Sequence, residues 1–165
     1  AEIQDMKCYF ADARRTLRRF ACFFVIFAVF LYCAGPGMTV RAHADDAINA
    51  ELELLARAAA ATAGESEFAV QVAVCAVFLN RCGGAGFPDT LPAVLADFLS
   101  GDPAACRAFA AAQPSGRNMR AAAAALRGAD PARGAVFFAV SDAVPTEVRA
   151  AGRIRFESGG YAFWQ

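Results

Sequence analysis

Residues 67–81 read EFAVQVAVCAVFLNR, and outside Glu67, Gln71, Asn80 and Arg81 every side chain in the stretch is apolar. An apolar run of this length with no polar face predicts a helix with neighbours on all sides, the central helix of a domain. Ser66 stands ahead of it as a candidate N-cap, and Cys82-Gly83-Gly84 ends it. Upstream, residues 50–63, AELELLARAAAATA, place Leu52, Leu55, Ala56 and Ala59 on one helical face, with Glu51 and Glu53 in the first turn. Gly64 is the natural stop. Downstream, a loop through Phe87-Pro88-Asp89 leads to a helix at 91–99 with Pro92 in its first turn, and a short helix follows at 103–112. Gln113–Asn118 reads as a turn-rich loop, and 119–127, MRAAAAALR, as a helix closed by Gly128.

After Asp130-Pro131 the character changes. Ala135–Val140, AVFFAV, is rich in β-branched and aromatic residues and predicts a strand. RIRF at 153–156 and YAFW at 161–164 predict a strand pair around a turn at Ser158-Gly159-Gly160. The expected architecture is α+β, mainly helical, with a small C-terminal β-element, in one domain without repeats.

The 165 residues hold 16 Lys+Arg, 16 Asp+Glu and one His, a zero balance that disfavours a nucleic-acid binder. That balance is the sum of unlike pieces. Residues 20–34, FACFFVIFAVFLYCA, are uncharged and apolar, preceded by Arg14, Arg15, Arg18 and Arg19, and followed by a small-x-small pattern at Ala42-His43-Ala44. Basic region, apolar core and A-x-A end describe a secretory signal peptide over 1–44, leaving a domain at 45–165. Met6 is the natural start, so residues 1–5 read as upstream sequence. The apolar run is short for a permanent span, which needs about 20 residues; a retained N-terminal anchor is the alternative. The leader carries six basic and three acidic side chains, the remainder ten and thirteen. The remainder has no Lys and no His. Ser-His-Asp, Cys-His and His-ligated zinc mechanisms are therefore closed to it, and carboxylates are the acid/base groups left.

Cys8, Cys22 and Cys33 belong to the leader; Cys75, Cys82 and Cys106 remain. Cys75 reads as a small buried hydrophobe within the central helix. Cys82 and Cys106 flank loops and are a candidate disulfide in an oxidising compartment, and spacing alone leaves that pairing open. No CxxC spacing supports a metal site, and no cofactor is implied.

The stretch LLARAAAATAGESEFAVQVAVCAVFLNR (54–81), followed by FPDTLPAVL (87–95), resembles the cell-wall hydrolases of the spore cortex-lytic enzyme type (SleB/CwlJ-like). In that family an LAR-led helix is followed by E-A-R-G-E, then G-Q-V-A-V-A-A-V-x-L-N-R, then F-P-x-T. ALRGADPARGAVFFAV (125–140) is similar to the family's A-L-x-G-x-D-P-T-x-G-A-L-Y-F, and GGYAFW (159–164) to its G-N-H-x-F-Y. The resemblance runs from about Glu51 to Trp164. It implies a lysozyme-like fold, peptidoglycan glycan strands as partner, and cleavage in the manner of a lytic transglycosylase. A single carboxylic acid then protonates the glycosidic oxygen while the sugar's own hydroxyl attacks.

The resemblance also exposes departures. The position expected to hold the catalytic Glu is Thr62; the second Glu falls on Ser66 and the Arg on Gly64. Val70 replaces the Gly, Gln71 is kept, and Tyr161 replaces the near-terminal His. The Q-F pair after the third helix is not evident in ADFLSGD. Glu65, three residues beyond Thr62, is the candidate displaced acid, while Glu65 and Glu67 equally suit the positive end of the second helix. Gln71 is a candidate substrate donor or a partner for nearby backbone. Tyr161 and Phe163 are candidates for a sugar-stacking wall or for the core. The two functional expectations are an exported peptidoglycan hydrolase and a catalytically silent relative that binds glycan or a partner hydrolase; an unrelated helical domain is the third.

Overall fold

The computed structural model describes residues 37–165. The predicted leader up to residue 36, with its apolar run and Cys8, Cys22 and Cys33, lies outside the described residues. The chain divides between Asp46 and Ala47, and the fold below is that of the unit Ala47–Gln165. No helix among the described residues is long and apolar enough to cross a membrane.

Helix α1 is Gly37–Ala63, α2 Phe68–Arg81, α3 Leu91–Ser100, α4 Pro103–Ala111 and α5 Gly116–Leu126. Strand β1 is Phe137–Val140, then come a 3-10 turn at Ser141–Ala143, helix α6 at Thr146–Ala150, and strands β2 (Ile154–Ser158) and β3 (Tyr161–Trp164). The expected α+β, mainly helical architecture is present.

Helix α2 is central, as its uniform apolarity predicts: every residue from Val70 to Phe78 is buried. Its main partner is α5, whose buried face is Ala121, Ala122 and Ala125. Three alanines allow the backbones to approach closely, so the alanine run is the fitted face of a helix. Phe78 is fully buried, with Phe98 and Phe138 edge-on at 5.2 and 5.9 Å. Truncating it to Ala costs about 3–5 kcal/mol by lost burial and the cavity left behind.

Several boundaries differ from expectation, each for a local reason. Helix α1 begins well before residue 50, because from Met38 to Ala63 neither Gly nor Pro interrupts the run. Ser66 is not the N-cap of α2; that position is Glu67, without a side-chain cap, and the Ser66 hydroxyl turns back to the Ala63 carbonyl. Helix α5 starts at Gly116 rather than 119, because Ser115 and Asn118 form a reciprocal capping box. The 3-10 turn and α6 were not anticipated.

The candidate Cys82–Cys106 bridge is absent, and Cys75, Cys82 and Cys106 are all free. Cys82 Sγ is satisfied locally by the Phe78 carbonyl at 3.3 Å, while Cys106 is exposed on α4. Cys75 is the buried hydrophobe expected, and desolvation pushes its thiol up to about 12.

The sheet is antiparallel with order β1-β3-β2. Phe138 pairs with Phe163, Phe137 with Trp164, and β2 bulges between Ile154 and Phe156. Phe163 is fully buried and stacks on Phe138 against the helical core, which settles its structural role. Ala162 and Trp164, on the opposite face, close a small second cluster with Val144, Val148 and Ile154.

Candidate functional site

The short loop 64–67 between α1 and α2 is where the predicted site residues converge. Gly64 ends α1 at φ +50°, a left-handed conformation suited to glycine, and its N–H donates to the Ala59 carbonyl at 3.1 Å. Gln71 fixes the loop from beneath. Fully buried, it donates from Nε2 to the carbonyls of Gly64 and Ser66, both at 3.0 Å. Those carbonyls flank Glu65. Gln71 therefore holds backbone, and its side-chain oxygen is taken too, by Asn118 Nδ2 at 3.2 Å. Asn118 Oδ1 in turn accepts from Ser115 N and Oγ, each at 2.8 Å. A buried amide pair with its groups in use costs little and specifies one arrangement.

The sheet closes the loop from the other side. Tyr161 Oη donates to the Thr62 carbonyl at 2.8 Å, and Ser158 Oγ to Glu67 Oε2 at 2.7 Å. The β2–β3 turn comes so near that a Cβ on Gly159 would lie 3.2 Å from Val70 Cγ2, at a φ of +55° that already disfavours a side chain.

Thr62 faces two ways. Its hydroxyl donates within the helix to the Ala58 carbonyl at 2.7 Å. Its side chain borders a small pocket of about 50 Å³, lined also by Phe78, Leu95, Phe98, Leu99 and Phe109, with no ionisable side chain in the lining. Glu65 is exposed, and among the described residues no hydrogen bond or ion pair engages it. Its carboxyl sits in water rather than in the apolar pocket. Such a group is free to accept from ligand hydroxyls.

Thr62, Glu65, Glu67, Gln71 and Tyr161 are thus gathered around one loop, whereas Phe163 belongs to the core and the cysteines lie apart. Sequence reasoning missed Asn118 and Ser158. The Ser-x-x-Asn spacing at 115–118 was a visible cap signal; the partnership with Gln71 across the helix interface had none. No group of three or more His, Cys, Asp or Glu among the described residues is arranged to hold a metal ion.

A helical core with a three-stranded antiparallel element folded against its first interhelical loop is the scaffold that carries the site. The model of the Cell Wall Hydrolase family matches residues 64–160, and the chain belongs to that family. Among solved structures it is similar to the catalytic domain of the germination-specific lytic transglycosylase SleB of Bacillus anthracis. That match has a TM-score of 0.59 at 23% identity and covers 70% of this chain and 93% of the other. The catalytic domain of the Bacillus cereus SleB protein matches with a TM-score of 0.57 at 24% identity, covering 70% of this chain and 89% of that one. At these identities the likeness is one of fold. No curated protein matches the chain.

Proposed function

We propose that this protein cleaves the glycan strands of peptidoglycan in the bacterial cell envelope, reached through the leader at 1–44, with Glu65 as the general acid. The observation that carries this reading is the locked loop. Gln71, Asn118 and Tyr161 fix the backbone on both sides of the one carboxylate that the loop leaves unengaged. In the reaction, the Glu65 carboxyl donates its proton to the glycosidic oxygen as the C–O bond breaks. It then takes a proton from the sugar hydroxyl that closes on the anomeric carbon, so one group serves as acid and then base. A second carboxylate opposite is not required, unlike in the two-carboxylate hydrolases.

A second reading is favoured by Thr62. A threonine stands where the family's catalytic Glu is expected, and its hydroxyl is committed to its own helix. In that reading the domain binds glycan without cutting it. Purified sacculi digested with the protein distinguish the two. Release of anhydro-muropeptides that Glu65→Gln abolishes supports the first; release unchanged in Glu65→Gln removes Glu65. No release by the native chain, restored by Thr62→Glu, supports the second.

A further inference from the structure

We propose that Arg81 is a receptor for a carboxylate of the peptides that peptidoglycan strands carry, a contact at the far end of α2 from the Glu65 loop. The proposal rests on the reading of peptidoglycan as the ligand. Arg81 closes α2 and is 8% exposed, so a permanent cation lies nine-tenths inside the domain. Four phenylalanines ring it: Cζ is 5.2 Å from the Phe87 centroid, 5.7 Å from those of Phe98 and Phe137, and 5.8 Å from that of Phe78. Nε donates to the Val136 carbonyl at 2.7 Å. Among the described residues no hydrogen bond or ion pair engages Nη1 or Nη2.

Those two nitrogens are unpaired but not sealed. Asp130 Oδ1 is the one side-chain nitrogen or oxygen among the described residues that is both cut off from water and without a partner. The Nη groups therefore reach solvent, beside Phe87, Phe98 and Phe137, the three rings of the cage that are not fully buried. With Nε occupied, the Nη1–Nη2 edge remains, two parallel N–H groups in one plane that match a carboxylate. Burial pushes the guanidinium below its ordinary value, and the charge of Asp97 opposes this only in part. The cation is short of a counter-charge. Its water was stripped when the domain folded, so an arriving anion gains attraction in a poorly screening setting without repeating that cost. One cation near the Asp97 carboxylate suits a singly charged carboxylate better than a doubly charged phosphate. The phenylalanine rim accommodates a short apolar body behind the carboxylate, as in a peptide that ends in alanine.

The position suits an appendage of the strand. The Glu65 loop leads into Phe68 at one end of α2 and Arg81 stands at the other, about 20 Å away at 1.5 Å per residue. A single sugar held at the loop does not reach that far, whereas about five extended residues of attached peptide span a similar distance. Arg81 then selects strands by their peptides and takes no part in breaking the glycosidic bond.

The full chain, labelled with nitrogen-15, is titrated with acetyl-D-alanyl-D-alanine while the arginine Nε–H signals are followed by NMR, and sacculus digestion is measured in parallel. The Arg81 signal is identified by its absence in Arg81→Lys. It is expected to shift saturably with the free acid and to stay in place with the C-terminal amide. Arg81→Lys, which keeps the charge without the fork, weakens binding about tenfold or more by calorimetry. Asp97→Asn changes an exposed side chain, leaves the core untouched and tightens binding about two- to fivefold. An Arg81 signal unmoved by millimolar acid, an equal response to acid and amide, or affinity unchanged in Asp97→Asn overturns the receptor. A response to inorganic phosphate as large as that to the peptide acid overturns it too. Muropeptide release alongside any of these results leaves the hydrolase reading standing. Peptide binding without muropeptide release keeps the receptor and removes the hydrolase reading.

Discussion

The Asn118 amide donates to the Gln71 side-chain oxygen at 3.2 Å in an interior where both residues are at most 2% exposed. This bond joins two helices far apart in sequence and secures the loop that carries Glu65. Asn118→Ala removes it together with the Asn118 side-chain half of the α5 capping box, leaving the Gln71 oxygen buried without a partner. A loss of about 2–4 kcal/mol follows, from a cap plus one unsatisfied buried acceptor. Urea denaturation monitored by far-UV circular dichroism measures it. Asn118→Asp keeps a cap acceptor yet sets a carboxylate against the Gln71 oxygen, and is expected to be destabilised as well.

The Tyr161 hydroxyl is the sheet's hold on the end of α1. Tyr161→Phe deletes the bond to the Thr62 carbonyl but leaves the ring in place, costing about 0.5–1.5 kcal/mol. If Glu65 is the acid, muropeptide release falls by more than that stability change explains, because a small shift of the loop moves the carboxyl off the glycosidic oxygen. Activity and melting temperature compared on the same preparation separate the two effects. An activity loss no larger than the loss of folded protein would show that the hydroxyl is structural only.

The cysteines differ sharply in accessibility. With its thiol pushed up to about 12 by burial, Cys75 carries almost no thiolate at pH 8. Burial, reinforced by the negative charge of Glu51, raises Cys82 as well. Alkylation at pH 8 followed by peptide mass mapping is expected to label exposed Cys106 first and Cys82 more slowly, with Cys75 labelled on unfolding. Early labelling of Cys75 in native buffer would contradict the packing of α2 against α1.

Acid acts on the α6–β2 contact. The Arg149 guanidinium donates to Glu157 at 3.0 Å and, with a smaller contribution from Ser141, holds the carboxyl below its ordinary value of 4.5. A lowered folded pKa means the stabilisation is present above about pH 4.5 and is lost as pH falls through the folded value. The pair is solvent-exposed, so the effect is small and screened by salt. Denaturation midpoints of Glu157→Gln and the native chain are expected to differ slightly at pH 7 in low salt and to converge at pH 3.

Helix α2 was legible because nothing in Val70–Phe78 but Gln71 is polar, and only a helix buried on all sides tolerates that. The terminal strand pair was legible from β-branched and aromatic residues around two glycines. Polar partnerships were not. Ser66 had the composition of a cap and chose the Ala63 carbonyl instead, because the chain reverses there before α2 begins. Gln71 suited substrate or backbone equally; what decided it was the position of the Gly64 and Ser66 carbonyls, a consequence of the turn rather than of any neighbour in sequence. Cys82 and Cys106 had loops on their side but no shared geometry. Glu65 was visible as a carboxylate near the site, whereas its exposure depended on how the β2–β3 turn settles over the loop.

The order β1-β3-β2 puts the strand made last of the three between the two that precede it. Until Tyr161–Trp164 emerges, β1 and β2 have no partner and Tyr161 cannot reach α1. A chain delivered N-terminus first therefore carries a helical core awaiting its keystone. The loop bearing Glu65 is clasped from its second side only once β3 has joined the sheet.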